Sequence, residues 1–171
     1  MKLTVKETVT FALLGAILYV GDVALEFLPN IHMVGVLTVA YTVVYRSKAL
    51  YPIAVYVLLQ GLLSGFNTWW IPYLYIWTIL WAAVMVLPRR MSTAVAVPVY
   101  MAVCGAHGLA FGTLYAPVQA LIYGLNGAQT LAWIAAGFSF DVIHAVGNVC
   151  LGILVVPLVR LLQNVQRMAS V

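Results

Sequence analysis

Phe138-Ser-Phe-Asp-Val-Ile-His-Ala-Val-Gly-Asn148 lies inside an apolar run from about Gln129 to Leu162. Asp141, His144 and Asn148 stand at i, i+3 and i+7, so on a helix they share one face. The run exceeds the ~20 residues that cross a bilayer core. A carboxylate, an imidazole and an amide in such a segment are unfavourable against lipid. They belong inside a bundle or against a polar cavity. The stretch therefore predicts a membrane-embedded helix with a polar stripe.

The composition agrees. Of 171 residues, 65% are hydrophobic and 7% charged, and the mean hydropathy is +1.07. A soluble domain carries roughly 25% charged residues, so this chain lacks the charge to cover a water-facing surface. One all-α membrane domain, residues 1–171, is expected. Six apolar runs, at about 8–28, 33–46, 50–66, 70–88, 94–122 and 129–162, predict six transmembrane helices. The second and third are short, and the sixth is too long for one straight span. The first follows two lysines like a signal peptide. It lacks a small-residue cleavage site and contains Asp22 and Glu26, so it is read as a retained helix.

The order of charges sets the expected orientation. Lys2 and Lys6 precede the first run, Arg46 and Lys48 separate the second and third, Arg89 and Arg90 separate the fourth and fifth, and Arg160 and Arg167 end the sixth. The alternate connections, Leu28–His32, Phe66–Trp69 and Tyr123–Gln129, hold no Lys or Arg. The positive-inside rule makes the basic side, with both termini, cytoplasmic. The expected location is the plasma membrane, with the net charge of +4 serving topology rather than nucleic-acid binding. Asp22, Glu26, His32 and Asp141 then fall in the outer half, as a pocket open to the outside would need.

Trp70, Tyr73, Trp77 and Trp81 follow a helical face in the fourth run, flanked by Trp69 and Tyr75. They read as an interfacial belt, as packing, or as a stacking wall for a flat ligand. Trp133 lies two turns before Asp141 on the same polar face. In the first run, Ala12-Leu-Leu-Gly-Ala16 is a small-xxx-small pattern, for internal packing or for docking a partner. Cys104 and Cys150 sit in apolar runs and read as packing residues.

Other chemistries have weak signals. The three histidines occupy different segments without metal-ligand spacing, so no metal is expected. No phosphate-cradling GxxxxGK[ST] motif is present, so no ATPase is expected on this chain. Ser64-Gly65 and His144-Ala-Val-Gly-Asn148 have the wrong order for an intramembrane serine protease of the rhomboid type. The polar stripe itself remains open to three readings: a structural lock, a proton relay or a ligand edge.

Six short-looped spans, the Ala12/Ala16 pair and an aromatic-polar outer half resemble the substrate-binding (S) component of an energy-coupling factor (ECF) transporter. The resemblance is carried by Leu28–His32, by Phe66-Asn-Thr-Trp-Trp-Ile-Pro-Tyr-Leu-Tyr-Ile-Trp-Thr-Ile-Leu80 and by Phe140–Asn148, and it covers essentially the whole chain. It implies a non-enzymatic subunit that captures a vitamin or related micronutrient at the outer face. It implies a membrane scaffold (T) protein and two cytoplasmic ATPases as partners, with ATP used by those ATPases and no cofactor on this chain. By position it implies docking through Ala12 and Ala16. It likewise implies ligand contacts from Trp70, Tyr73, Trp77, Trp133, Asp141, His144 and Asn148, with Asp22, Glu26, His32 and Asn67 at the rim. The alternative from another class is a self-contained secondary transporter or channel.

No Lys or Arg stands among these outer candidates. An anionic ligand would be left unpaired there, so a cationic or neutral flat heterocycle is expected. Thiamine-, pyridoxine- and purine- or deazapurine-like molecules all qualify, and cobalamin, large and nearly neutral, also stays open. On this reading Asp141→Asn lowers affinity about tenfold, since a charge-assisted hydrogen bond is worth ~1.5–3 kcal/mol.

Overall fold

A computed structural model describes residues 3–169. Lys2, one of the orienting charges, lies outside them. Among the described residues the fold is all-helical. Helix α1 (Val5–Val23) starts at a capping box: Thr4 Oγ1 accepts from the Glu7 N–H, and the Glu7 carboxylate accepts from the Thr4 N–H. Turns cover residues 24–30. Helices α2 (Val34–Tyr45) and α3 (Leu50–Ser64) are joined by a 3-10 turn at Arg46–Ala49. A second 3-10 turn, Thr68–Trp70, leads to α4 (Tyr73–Met85). Then follow α5 (Thr93–Tyr123), α6 (Gly127–Gly152) and α7 (Val155–Ala169).

Among the described residues four helical segments are long and apolar enough to cross a membrane: Val34–Ser64, Thr68–Met85, Thr93–Tyr123 and Gly127–Gly152. The first of these is no single rod. Arg46 takes φ 55 and ψ −124, and the chain reverses there. Tyr41 on α2 donates to the Leu14 carbonyl, and Gly21 lies against Met33 and Leu37, so α2 runs antiparallel to α1. Lys48 meets Glu7, Gly15 lies against Pro52 and Val55, and Gln60 meets Asp22, so α3 runs parallel to α1.

The shortness of the second run has a physical reason. Every residue from Val34 to Thr42 is buried, and α2 packs on α1, α4, α5, α6 and α7. A helix that is apolar on all sides belongs in the middle of a bundle, where it need not match the bilayer thickness alone. The long sixth run divides at residues 153–154. α6 begins earlier than its apolar pattern, because Asn126 and Gln129 form a capping box. Beyond the break, Pro157 falls in the first turn of α7, where its missing N–H is no loss. α7 buries Val155 and Val156, packs on α2 and α5, and Arg160 donates to Thr93 Oγ1 at 2.9 Å. The expected fourth span starts in the separate 3-10 turn that holds Trp70, continues into α4 and ends at Met85.

The hairpin of α5 and α6 is held by a glycine seam. A Cβ on Gly105 would lie 2.3 Å from Val149 Cγ2, and one on Gly108 would lie 3.0 Å from the Ala145 Cα. Without a hydrophobic drive between helices in lipid, such close backbone approach is a main source of association. The expected small pair on α1 behaves differently. Gly15 is the buried member facing α3, while Ala12 is exposed and Ala16 half-buried. Cys104 is buried and Cys150 exposed, and both are free thiols.

Candidate functional site

A cavity of about 420 Å³ opens where α1 and α3 end and α4 begins. Its lining includes Tyr19, Asp22 and Glu26 from α1 and the following turns, His32 from the α1–α2 connection, Gln60 and Ser64 from α3, and Trp69 and Tyr73 around the start of α4. Two carboxylates face it, and among the described residues no Lys or Arg lines it. A larger groove, about 740 Å³, lies at the opposite end, lined by Lys6, Lys48 and Arg167 among others. There Glu7, the only carboxylate among the described lining residues, is already matched by Lys48.

Asp22 is positioned rather than loose. Tyr56 and Gln60 stand one turn apart on α3 and reach across the parallel α1–α3 contact. Tyr56 Oη donates to Asp22 Oδ2 at 2.9 Å, and Gln60 Nε2 donates to the same oxygen. Both bonds fall on Oδ2, so Oδ1 keeps its accepting capacity for the cavity.

Behind the cavity wall the fold gathers the three histidines around Trp77. The His32 and His144 rings are 4.7 Å apart, and the His32 ring is 5.7 Å from Trp77. His107 lies 5.5 Å from Trp77, and Phe111 packs on His144 at 4.9 Å. His107 Nε2 faces the Ile76 carbonyl at 3.1 Å. A carbonyl only accepts, so Nε2 carries the proton and Nδ1 of the neutral ring is an acceptor. His32 Nδ1, His107 Nδ1, His144 Nε2, Trp77 Nε1 and Asn148 Nδ2 are all enclosed and without a hydrogen-bond partner. His32 exposes part of its ring, yet that nitrogen is enclosed. Burial, then the neighbouring His144 and His107, hold the His32 imidazole down to about 3. Among the described residues no three His, Cys, Asp or Glu side chains are placed to hold a metal ion.

The sequence candidates thus separate by position. Asp22, Glu26, His32 and Tyr73 line the cavity. Trp77 and His144 form the layer behind it. Asp141 is buried at the hairpin seam, where its Oδ1 accepts from the Gly112 N–H at 2.9 Å. Asn148 packs at Gly35 and Gly108. Trp70 donates its indole N–H to the Val57 carbonyl at 2.7 Å and packs on Phe66. Trp133 stacks on Tyr115 at 6.3 Å. Asn67 caps the turn at Thr68–Trp70. Residues not among the candidates also belong here: Tyr19, Tyr56, Gln60, His107 and Phe111. Gln60 had a usable signal, being a lone amide one turn from a tyrosine in an otherwise apolar helix. Tyr19 and Phe111 had none. No protein-family model, curated protein or solved structure matches this chain.

Proposed function

We propose that this protein is the substrate-binding S component of an ECF-type importer in the plasma membrane, crossing it six times with both termini in the cytoplasm. The observation that carries the reading is the opposition of the two ends. Lys6, Lys48 and Arg167 line one groove at one end, and the acidic, aromatic cavity opens at the other. By the positive-inside rule the basic end is cytoplasmic, so the cavity faces outward, as capture of a scarce nutrient requires. A small heterocycle suits a cavity of this size, within the ~300–1,000 Å³ of small-molecule sites. The exposed apolar face of α1, with Ala12, Leu13 and Ile17, is the docking face for the T protein, whose two ATPases supply ATP hydrolysis.

The test is uptake in cells that express the chain with and without the T protein and its ATPases. Uptake that needs all partners and stops on ATP depletion supports the proposal, and uptake by the chain alone overturns it in favour of a self-contained transporter. The packed histidines are the observation that favours that second reading, since proton relays use such groups. Ala12→Trp, on an exposed position, is expected to abolish uptake and leave ligand binding intact.

A further inference from the structure

Two features bear on what the cavity holds, and they are independent. The first is the unbalanced charge: Asp22 and Glu26 line the cavity with no lining Lys or Arg, and Asp22 Oδ1 stays unclaimed because both of its protein bonds fall on Oδ2. The second is the wall behind. His32 lines the cavity and its Nδ1 has no partner. His144, against it at 4.7 Å, is almost wholly buried and its Nε2 has no partner. An enclosed polar atom without a partner is unfavourable by ~1–3 kcal/mol; of these two histidines only His32 lines the cavity, so it is the group that a molecule bound there stands to complete.

We propose that the cavity takes a small, flat N-heterocycle bearing one positive charge, its cationic group on Asp22 and Glu26 and its uncharged ring edge against His32. The inference deepens the binding role proposed above and rests on it for the orientation of the cavity. A cation answers the two carboxylates directly, whereas an anion would meet like charge and leave its own charge unpaired. The aromatic faces of Tyr19, Trp69 and Tyr73 add cation–π attraction. The His32 ring is held unprotonated at physiological pH, so it does not repel the cation. A volume of about 420 Å³ admits one ring system with a short substituent and leaves no room for a corrinoid.

Three probes of one shape and different charge test this by calorimetry on the purified full chain in detergent: 3-(aminomethyl)pyridine, 3-(hydroxymethyl)pyridine and pyridine-3-carboxylate. The expected order is the cation at least tenfold tighter than the neutral probe, with the anion not binding. Asp22→Asn or, separately, Glu26→Gln is expected to shrink the preference, and Glu7→Gln at the opposite end to leave it. His32→Ala is expected to weaken the cation and the neutral probe by the same factor. Equal binding of cation and neutral probe, binding of the anion, no binding of any probe, or a preference that survives both carboxylate substitutions overturns the proposal. Because the purified chain is assayed alone, a failed charge preference leaves the partner requirement for uptake standing. Conversely, uptake without partners leaves the charge preference standing.

Discussion

Where α1 begins, Lys48 meets Glu7, the Arg46 guanidinium donates to the Met85 carbonyl at 2.7 Å and Arg160 donates to Thr93 Oγ1. Where α1 ends, Asp22 leaves one oxygen unclaimed and His32 leaves a ring nitrogen without a partner. Both ends carry polar groups in a mostly apolar chain. At the basic end these bonds tie the helix ends together, although Arg46 Nε is enclosed without a partner. At the acidic end they stay partly open beside a cavity. Net charge does not separate scaffold from site here; completeness of hydrogen bonding does, since a satisfied group has nothing left to offer a ligand. Asp141 belongs with the scaffold for another reason, although it sits far from the basic end: it is buried in the α5–α6 seam, away from the cavity lining, and its Oδ1 accepts from the Gly112 N–H.

The largest expected effect comes from the scaffold. In Gly112→Val a Cβ would lie 2.5 Å from Asp141 Oδ2, so the Asp141 carboxylate must leave its place in the α5–α6 seam or the hairpin must open. Overpacking of this kind destabilises by ~1–3 kcal/mol, and the lost Asp141 bond adds to it. Thermal unfolding in detergent measures it, and an unchanged midpoint would break the assignment of Asp141 to the seam.

Next comes a direct contrast of two carboxylates. Asp22→Asn is expected to lower ligand affinity about tenfold or more, by loss of a charge-assisted bond worth ~1.5–3 kcal/mol, with little change in melting. Asp141→Asn is expected to do the reverse. Calorimetry with the co-purifying small molecule, paired with melting curves, decides it. Should Asp141→Asn weaken binding more, the expectation from the sequence stands and the division drawn here falls.

A smaller effect follows from His32. Its imidazole titrates near 6.5 when unfolded and at about 3 when folded, so the unfolded chain binds the proton first as pH falls. This contribution to stability is whole above pH 6.5 and declines progressively as pH drops toward 3. Melting curves between pH 7 and 4 should therefore slope downward, and His32→Gln should flatten part of the slope. An identical slope in the variant would show that His32 is protonated in the folded protein. The smallest effect is expected from Lys48→Gln, because an ion pair still partly open to solvent contributes little; a large fall in the melting midpoint would show that the basic end is held by that pair.

Much of the architecture was legible because lipid imposes strict rules. Apolar runs, charge order and the i, i+3, i+7 stripe in α6 are local patterns, and the structure is all-helical with four segments able to cross a membrane. The boundaries were less legible. The α6–α7 break comes amid unbroken apolar residues, so hydropathy does not mark it. The α2–α3 reversal at Arg46 depends on a left-handed backbone at a non-glycine residue, which no propensity announces. At the site, the polar stripe was correctly placed on one face, for Asp141, His144 and Asn148 are all buried. What that face meets was not readable. His144 meets His32, while Asp141 meets only a backbone N–H of the glycine seam.

Periodicity and charge order alone thus determined a membrane-embedded helical chain, a polar face on α6 and a segregation of basic residues along the sequence, because each depends on the residue's own transfer energy and helical phase. Only the tertiary structure decided which polar groups remain unsatisfied. That property belongs to pairs of distant residues: Tyr56 and Gln60 claim one oxygen of Asp22, Gly112 claims one of Asp141, and His32 and His107 meet at Trp77 while His144 packs on His32, each with a nitrogen to spare. A hydrogen bond needs its partner within about 3 Å, and the sequence, which orders residues along the chain, is silent on that distance.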